Sequence, residues 1–119
     1  MQQLDSQLDA IQKRLNEIEI ALSDRRELKL AESKLEAATE ILNRVTAELR
    51  HSEQEVKAQR LKIEQTEATL YGGKVRNPKE LQDLQNESAA LKRYLAVLED
   101  RQLEKMIAQE EAQIGRAHV

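Results

Sequence analysis

The chain contains no cysteine, no phenylalanine and no tryptophan. Without cysteine, these 119 residues cannot form disulfides, thiolate nucleophiles or Cys-ligated zinc sites. Without Phe or Trp, and with only two tyrosines, the chain lacks the bulky side chains that fill a rounded core. One proline and three glycines leave few places where a helix would be interrupted. No apolar run approaches the roughly 20 residues that span a bilayer. The opening Met1-Gln2-Gln3-Leu4-Asp5-Ser6 lacks the basic and apolar regions of a secretory signal. No membrane partner is expected, and the cytoplasm is the expected compartment.

Charge and heptads are what the chain does have. Charged residues make up 34% of it, 19 basic and 22 acidic, and they are finely interspersed. A formal charge of −3 distributed in this way describes a solvated, ion-paired surface and gives no global case for nucleic-acid or membrane binding. Abundant Ala, Glu, Lys, Leu, Arg and Gln is the composition of long helices and coiled coils. The many glutamates do not amount to a catalytic site, because shifting a carboxyl pKa for catalysis takes a concave, partly dry setting that a helical rod lacks. The chain is not expected to be an enzyme.

Leu4, Leu8, Ile11, Leu15, Ile18 and Leu22 alternate spacings of four and three, which holds them on one stripe of a helix. A second run, Leu28, Ala31, Leu35, Ala38, Leu42, Val45, Leu49, Ser52, Val56, Gln59, Ile63, Thr66 and Leu70, keeps the same rule. Between Leu22 and Leu28 the step is six where a continuous heptad requires seven. With Ser23-Asp24 as a cap pair, this predicts a kink, stammer or short break near 22–26, an unbroken helix being the alternative. Small and polar residues at several seam positions let helices approach closely and fix register at some cost in stability.

Leu70 to Leu81 carries two of the three glycines and the only proline. Gly72 or Gly73 suits the left-handed conformation that ends a helix. Asn77 suits an N-cap, Pro78 the first helical position, and Glu80 a capping-box return to the Asn77 amide. After this bend a third stripe runs Leu81, Leu84, Ser88, Leu91, Leu95, Leu98 and shifts phase toward Leu103, Met106 and Ile107. A short connection makes the two helices antiparallel neighbours. The expected fold is therefore all-α: a long antiparallel coiled-coil helical hairpin with helix 2–70, bend 71–77 and a shorter, truncated return arm 78–113.

At equal rise per residue, the return arm reaches back only to about residue 37. Leu4, Leu8, Ile11, Leu15, Ile18, Leu22, Leu28 and Leu35 are then left without an intrachain partner, an arrangement that fits a homo-oligomer or a once-longer second arm. The tail Ile114-Gly115-Arg116-Ala117-His118-Val119 leaves the heptad. It is also the translation of ATC GGA AGA GCA CAC GTC, a common sequencing adapter whose next codon is a stop. Residues 114–119 are accordingly expected to be a non-native, adapter-derived tail, with native coding sequence ending near Gln113.

Around the bend, Leu70-Tyr71-Gly72-Gly73-Lys74-Val75-Arg76-Asn77-Pro78-Lys79-Glu80-Leu81, continued by Gln82-Asp83-Leu84-Gln85-Asn86-Glu87, resembles a bacterial family that joins a coiled-coil hairpin to a C-terminal four-cysteine zinc ribbon. Gly72 stands where that family's pattern has Ser. The resemblance covers about residues 1–113 and is specific only at the bend. It implies a non-enzymatic binding, scaffold or adaptor module with nucleic acid or a regulatory protein as partner. It also implies structural zinc, expected only in a ribbon that this chain does not contain, so no cofactor is expected here.

Lys74, Arg76 and Lys79 make the bend locally basic and are the candidate contacts for such a partner. Tyr71 would either stack on a base or cap the hydrophobic seam. Arg25-Arg26 and Lys92-Arg93 read as ion-pairing positions. His51 has no second histidine at ligand spacing and reads as solvated or flanking the seam. The other reading of the whole chain is a purely structural, self-associating coiled coil with no nucleic-acid role.

Overall fold

The computed structural model describes residues 2–119. Two antiparallel helices make up the fold: α1 (Gln2–Tyr71) and α2 (Pro78–Ala117). Neither Gly nor Pro occurs between residues 2 and 71, so nothing in α1 carries the roughly 1–3 kcal/mol helix penalty of those residues. Seventy helical residues span about 105 Å. The molecule measures 112 × 16 × 15 Å, so α1 sets its length and the pair of helices its width. Its radius of gyration is 31.3 Å, whereas a compact chain of this size would have about 14 Å. This is a rod.

Cross-helix pairs show the register. Near the bend, Glu67 meets Lys92 at 2.5 Å and accepts from the Ser88 hydroxyl at 3.4 Å. Farther out Gln59 Nε2 donates to the Leu91 carbonyl (3.0 Å), and Arg60 pairs with Glu99 (3.5 Å). Glu48 then meets Lys105 (2.8 Å), and Gln109 Nε2 donates to Thr46 Oγ1 (3.2 Å). The end of α2 comes alongside Leu35, Ala38 and Leu42. The second arm is thus the shorter one, as its length requires.

Between the arms the buried apolar residues are Val45, Leu49, Val56, Ile63 and Leu70 from α1 and Leu98 from α2. Leu81, Leu84, Leu91 and Leu95 are half-buried beside them. Ser52, Gln59 and Ser88 are buried within the same seam. Every α1 seam residue expected from Val45 to Leu70 is buried or half-buried. Leu28, Ala31 and Leu35 share that phase but are exposed: Leu35 meets only the last turn of α2, and Leu28 and Ala31 lie beyond it.

Three expectations need correction. α1 passes through 22–26 without a break, and Ser23 and Asp24 sit in mid-helix. A change in stripe phase costs no backbone hydrogen bond, and Arg26 Nε even reaches back to the Leu22 carbonyl (3.4 Å). At the other end, α2 continues through Gly115 to Ala117 instead of stopping at 113. Gly115 therefore does not act as a cap; the last turn closes instead with the His118 N–H donating to the Ile114 carbonyl at 3.2 Å.

The third correction concerns the far half of α2. Its seam does not shift to Leu103, Met106 and Ile107, which are exposed. The original heptad continues through Gln102, Lys105, Gln109 and Ala112, all half-buried. A straight helix cannot change its seam without rotating, and upstream Leu91, Leu95 and Leu98 fix the rotation. Of the polar residues carried inward, Lys105 finds a partner in Glu48 and Gln109 in Thr46.

Candidate functional site

The bend occupies residues 72–77. Gly73 has φ +77°, the left-handed backbone that favours glycine, so of the two candidates it is the one that turns the chain. Gly72 is needed for a different reason: a Cβ there would lie 2.6 Å from the Ala68 carbonyl oxygen. Asn77 caps α2 as expected, its Oδ1 accepting from the Lys79 N–H at 3.0 Å and its carbonyl from the Leu81 N–H at 3.0 Å. Pro78 occupies the first turn. Glu80 makes no return bond to the Asn77 amide among the described residues, and it sits exposed in the first turn, where its charge complements the helix dipole.

Lys74, Arg76 and Lys79 are all exposed, and none forms an ion pair among the described residues. They are brought together on the turn that closes one end of the rod. Tyr71 does not cap the seam: it is 77% exposed. Leu70 closes the seam from below, and half-buried Val75 is the bend residue that turns inward. Sequence reasoning missed Val75, although an apolar residue isolated among Lys74, Arg76 and Asn77 was the available signal.

Elsewhere among the described residues, Arg60–Glu99, Lys92–Glu67 and Lys105–Glu48 link the arms. The Lys105 ammonium, by hydrogen bond and charge, holds the Glu48 carboxyl below its usual range. A hydrogen bond from Lys92 does the same for Glu67, with help from the Ser88 hydroxyl. Lys92 is raised in return by its bond to Glu67. Of the basic pairs expected to be ion-paired, Lys92 is, and Arg25, Arg26 and Arg93 form no ion pair among the described residues. His51 is exposed and faces Glu55 one turn on, at 2.9 Å.

A second feature lies at the opposite end. Residues 2–37 are exposed throughout, about 54 Å of helix that meets α2 only at Leu35. Leu4 is 63% exposed and Ile18 47%. Toward the end of α2 the arms flank an open groove of about 400 Å³ lined by Ala38, Ile41, Val45, Ala108, Ala112 and Gly115, with Glu111 and Arg116 also on its walls. Most of its lining is small and apolar.

Zinc does not fit these residues. The chain has no cysteine, and among the described residues no three His, Asp or Glu side chains are placed to hold a metal. Nor is any described helix long and apolar enough to cross a membrane. No curated protein and no solved structure matches the chain. Its two arms, single bend and heptad seam do match a described domain over residues 1–119, and the chain belongs to the CT398-like coiled coil hairpin domain family.

Proposed function

We propose that the chain is a non-enzymatic binding and scaffold module: a stiff spacer that presents a basic tip to an acidic partner, nucleic acid or a regulatory protein. One observation carries this reading. Lys74, Arg76 and Lys79 are exposed on a turn held by Gly73 and Asn77, and residues 68–79 carry no acidic side chain to balance them, whereas acids and bases are interspersed along the arms. Cations left unbalanced on an ordered turn are available to an outside anion. Phosphates meet that description, and so do carboxylates. The resemblance at the bend adds support, and the zinc ribbon it implies would be a separate contact surface carried outside these residues.

Titration of labelled DNA, RNA and an acidic polypeptide across salt concentrations tests this. Binding should weaken as salt rises, and neutralising Lys74 and Arg76 together should flatten the salt slope by about one unit per lost phosphate contact. If none of the three probes binds, or if binding survives the double neutralisation unchanged, the tip reading is wrong.

A further inference from the structure

We infer that the tip is a site for single-stranded nucleic acid, in which the Tyr71 ring stacks on a base while Lys74, Arg76 and Lys79 hold neighbouring phosphates. This rests on the basic-tip reading and narrows its partner to one class. Tyr71 is 77% exposed, more than any other large apolar side chain among the described residues; Leu4 follows at 63%. Its backbone is held in place all the same, because it is the last residue of α1 and the chain turns at Gly73, two residues on.

The surroundings of the ring are bare. Gly72 and Gly73 bring no side chain, and the position a Cβ would take on Gly73 has nothing within 4 Å. From 72 to 79 the only apolar side chains are half-buried Val75 and Pro78. Lys74 follows Tyr71 by three residues, so their Cα atoms lie at most about 11 Å apart. Arg76 and Lys79 come next, with no acid between 68 and 79 to answer them. A lone flat ring followed by three cations matches a polymer that alternates flat bases with phosphates. Stacking accepts any base, since each has a π-face, and the cations fasten the backbone.

Size separates this partner from the two others that carry negative charge. The rod is 16 × 15 Å across, wider than the roughly 12 Å major groove of a DNA duplex. Tyr71 belongs to that wide part, as the end of α1, and duplex bases are already stacked on one another. A protein partner takes about 800 Å² from each side of a standard interface, and a ring of neighbouring contacts shields its aromatic anchors from water. The end face of this rod falls well below that area, and glycines stand where the shielding contacts would be. A single strand needs neither a groove nor a broad face.

Titrating the full chain with labelled oligothymidylate, an abasic strand of equal length, and polyglutamate is the test. Oligothymidylate should bind with a log–log salt slope of about −2, at ~0.7 per phosphate contact for three cations. Tyr71→Leu should weaken it about five- to 150-fold with the slope unchanged, and Y71W should retain it. The abasic strand, which has the phosphates and no bases, should bind wild type only as well as oligothymidylate binds Y71L. The chain has no Trp and one other tyrosine, Tyr94, so in Y94F the emission reports on Tyr71 alone. It should fall with oligothymidylate and not with the abasic strand. Equal binding of the two strands, or an Y71L variant that binds as wild type does, overturns stacking. The basic-tip reading then still stands if K74Q/R76Q weakens all three probes. Binding of polyglutamate alone overturns the inference in favour of an acidic protein, and binding of no probe overturns both readings. Tyr71 is exposed, and unchanged circular dichroism of Y71L separates lost stacking from lost folding.

Discussion

The two halves of α1 have nearly the same composition and the same heptad rule, and they end in opposite states. From Val45 to Leu70 the seam residues are buried or half-buried against α2; from Leu4 to Leu35 their counterparts are exposed. Pattern alone therefore does not bury a residue. A partner at the right distance does, and here that distance is set by the bend at Gly73 and by the forty residues that follow Asn77.

The contrast breaks most sharply in the core. Leu98 is 2% exposed and packs among the α1 seam residues, so Leu98→Ala should cost about 2–4 kcal/mol by lost transfer energy and a residual cavity. Leu30→Ala, in the uncovered half and off its stripe, should stay within about 0.5 kcal/mol. Urea unfolding of both variants, followed by helicity, gives the comparison; equal losses would mean that the halves are not energetically distinct.

A smaller effect is expected at the glycines. Gly73→Ala forces a side chain into the left-handed region and should cost about 1–2 kcal/mol. Gly115→Ala meets nothing within 4 Å in a regular helix and should instead stabilise by up to about 1 kcal/mol. Thermal melts that moved both variants in the same direction would contradict these backbone assignments.

The smallest expected effect is on pH. Glu48 and Glu67 are depressed in the folded state by Lys105 and Lys92, so their contribution is present above the ordinary carboxylate range and fades as pH falls through their folded values. Lys92 is raised, so its contribution is present below its unfolded pKa and fades as pH rises through the folded one. Both pairs are substantially exposed, which limits their worth. Melting temperatures should therefore be flat near neutrality, with a shallow acid decline that Glu67→Gln reduces further. A sharp transition near neutral pH would point to another group.

Much of this molecule was legible in advance because its rules are local. Gly, Asn and Pro at fixed offsets marked the bend, and alternating three- and four-residue steps marked the seam from Val45 to Leu98. Where sequence reading failed, a local preference gave way to a longer-range constraint. Leu103, Met106 and Ile107 are more apolar than Gln102, Lys105 and Gln109, yet the rotation inherited from Leu91 and Leu98 put the polar set inside. Ser23-Asp24 had the chemistry of a cap but no proline or glycine to force a break. At the tip, Tyr71 looked like the natural plug but is exposed, and Val75 is the half-buried residue of the bend.

The polar far seam also has a mechanical consequence. A load applied between residue 2 and residue 117 would not shear the arms along their length. It would peel α2 away from its free end, first past small Ala112 and Ala108, then through the Thr46–Gln109 and Glu48–Lys105 pairs. Resistance would rise most at Leu98 and at the Gln59 clamp on Leu91, so the hairpin is a zipper whose first half is softer than its second.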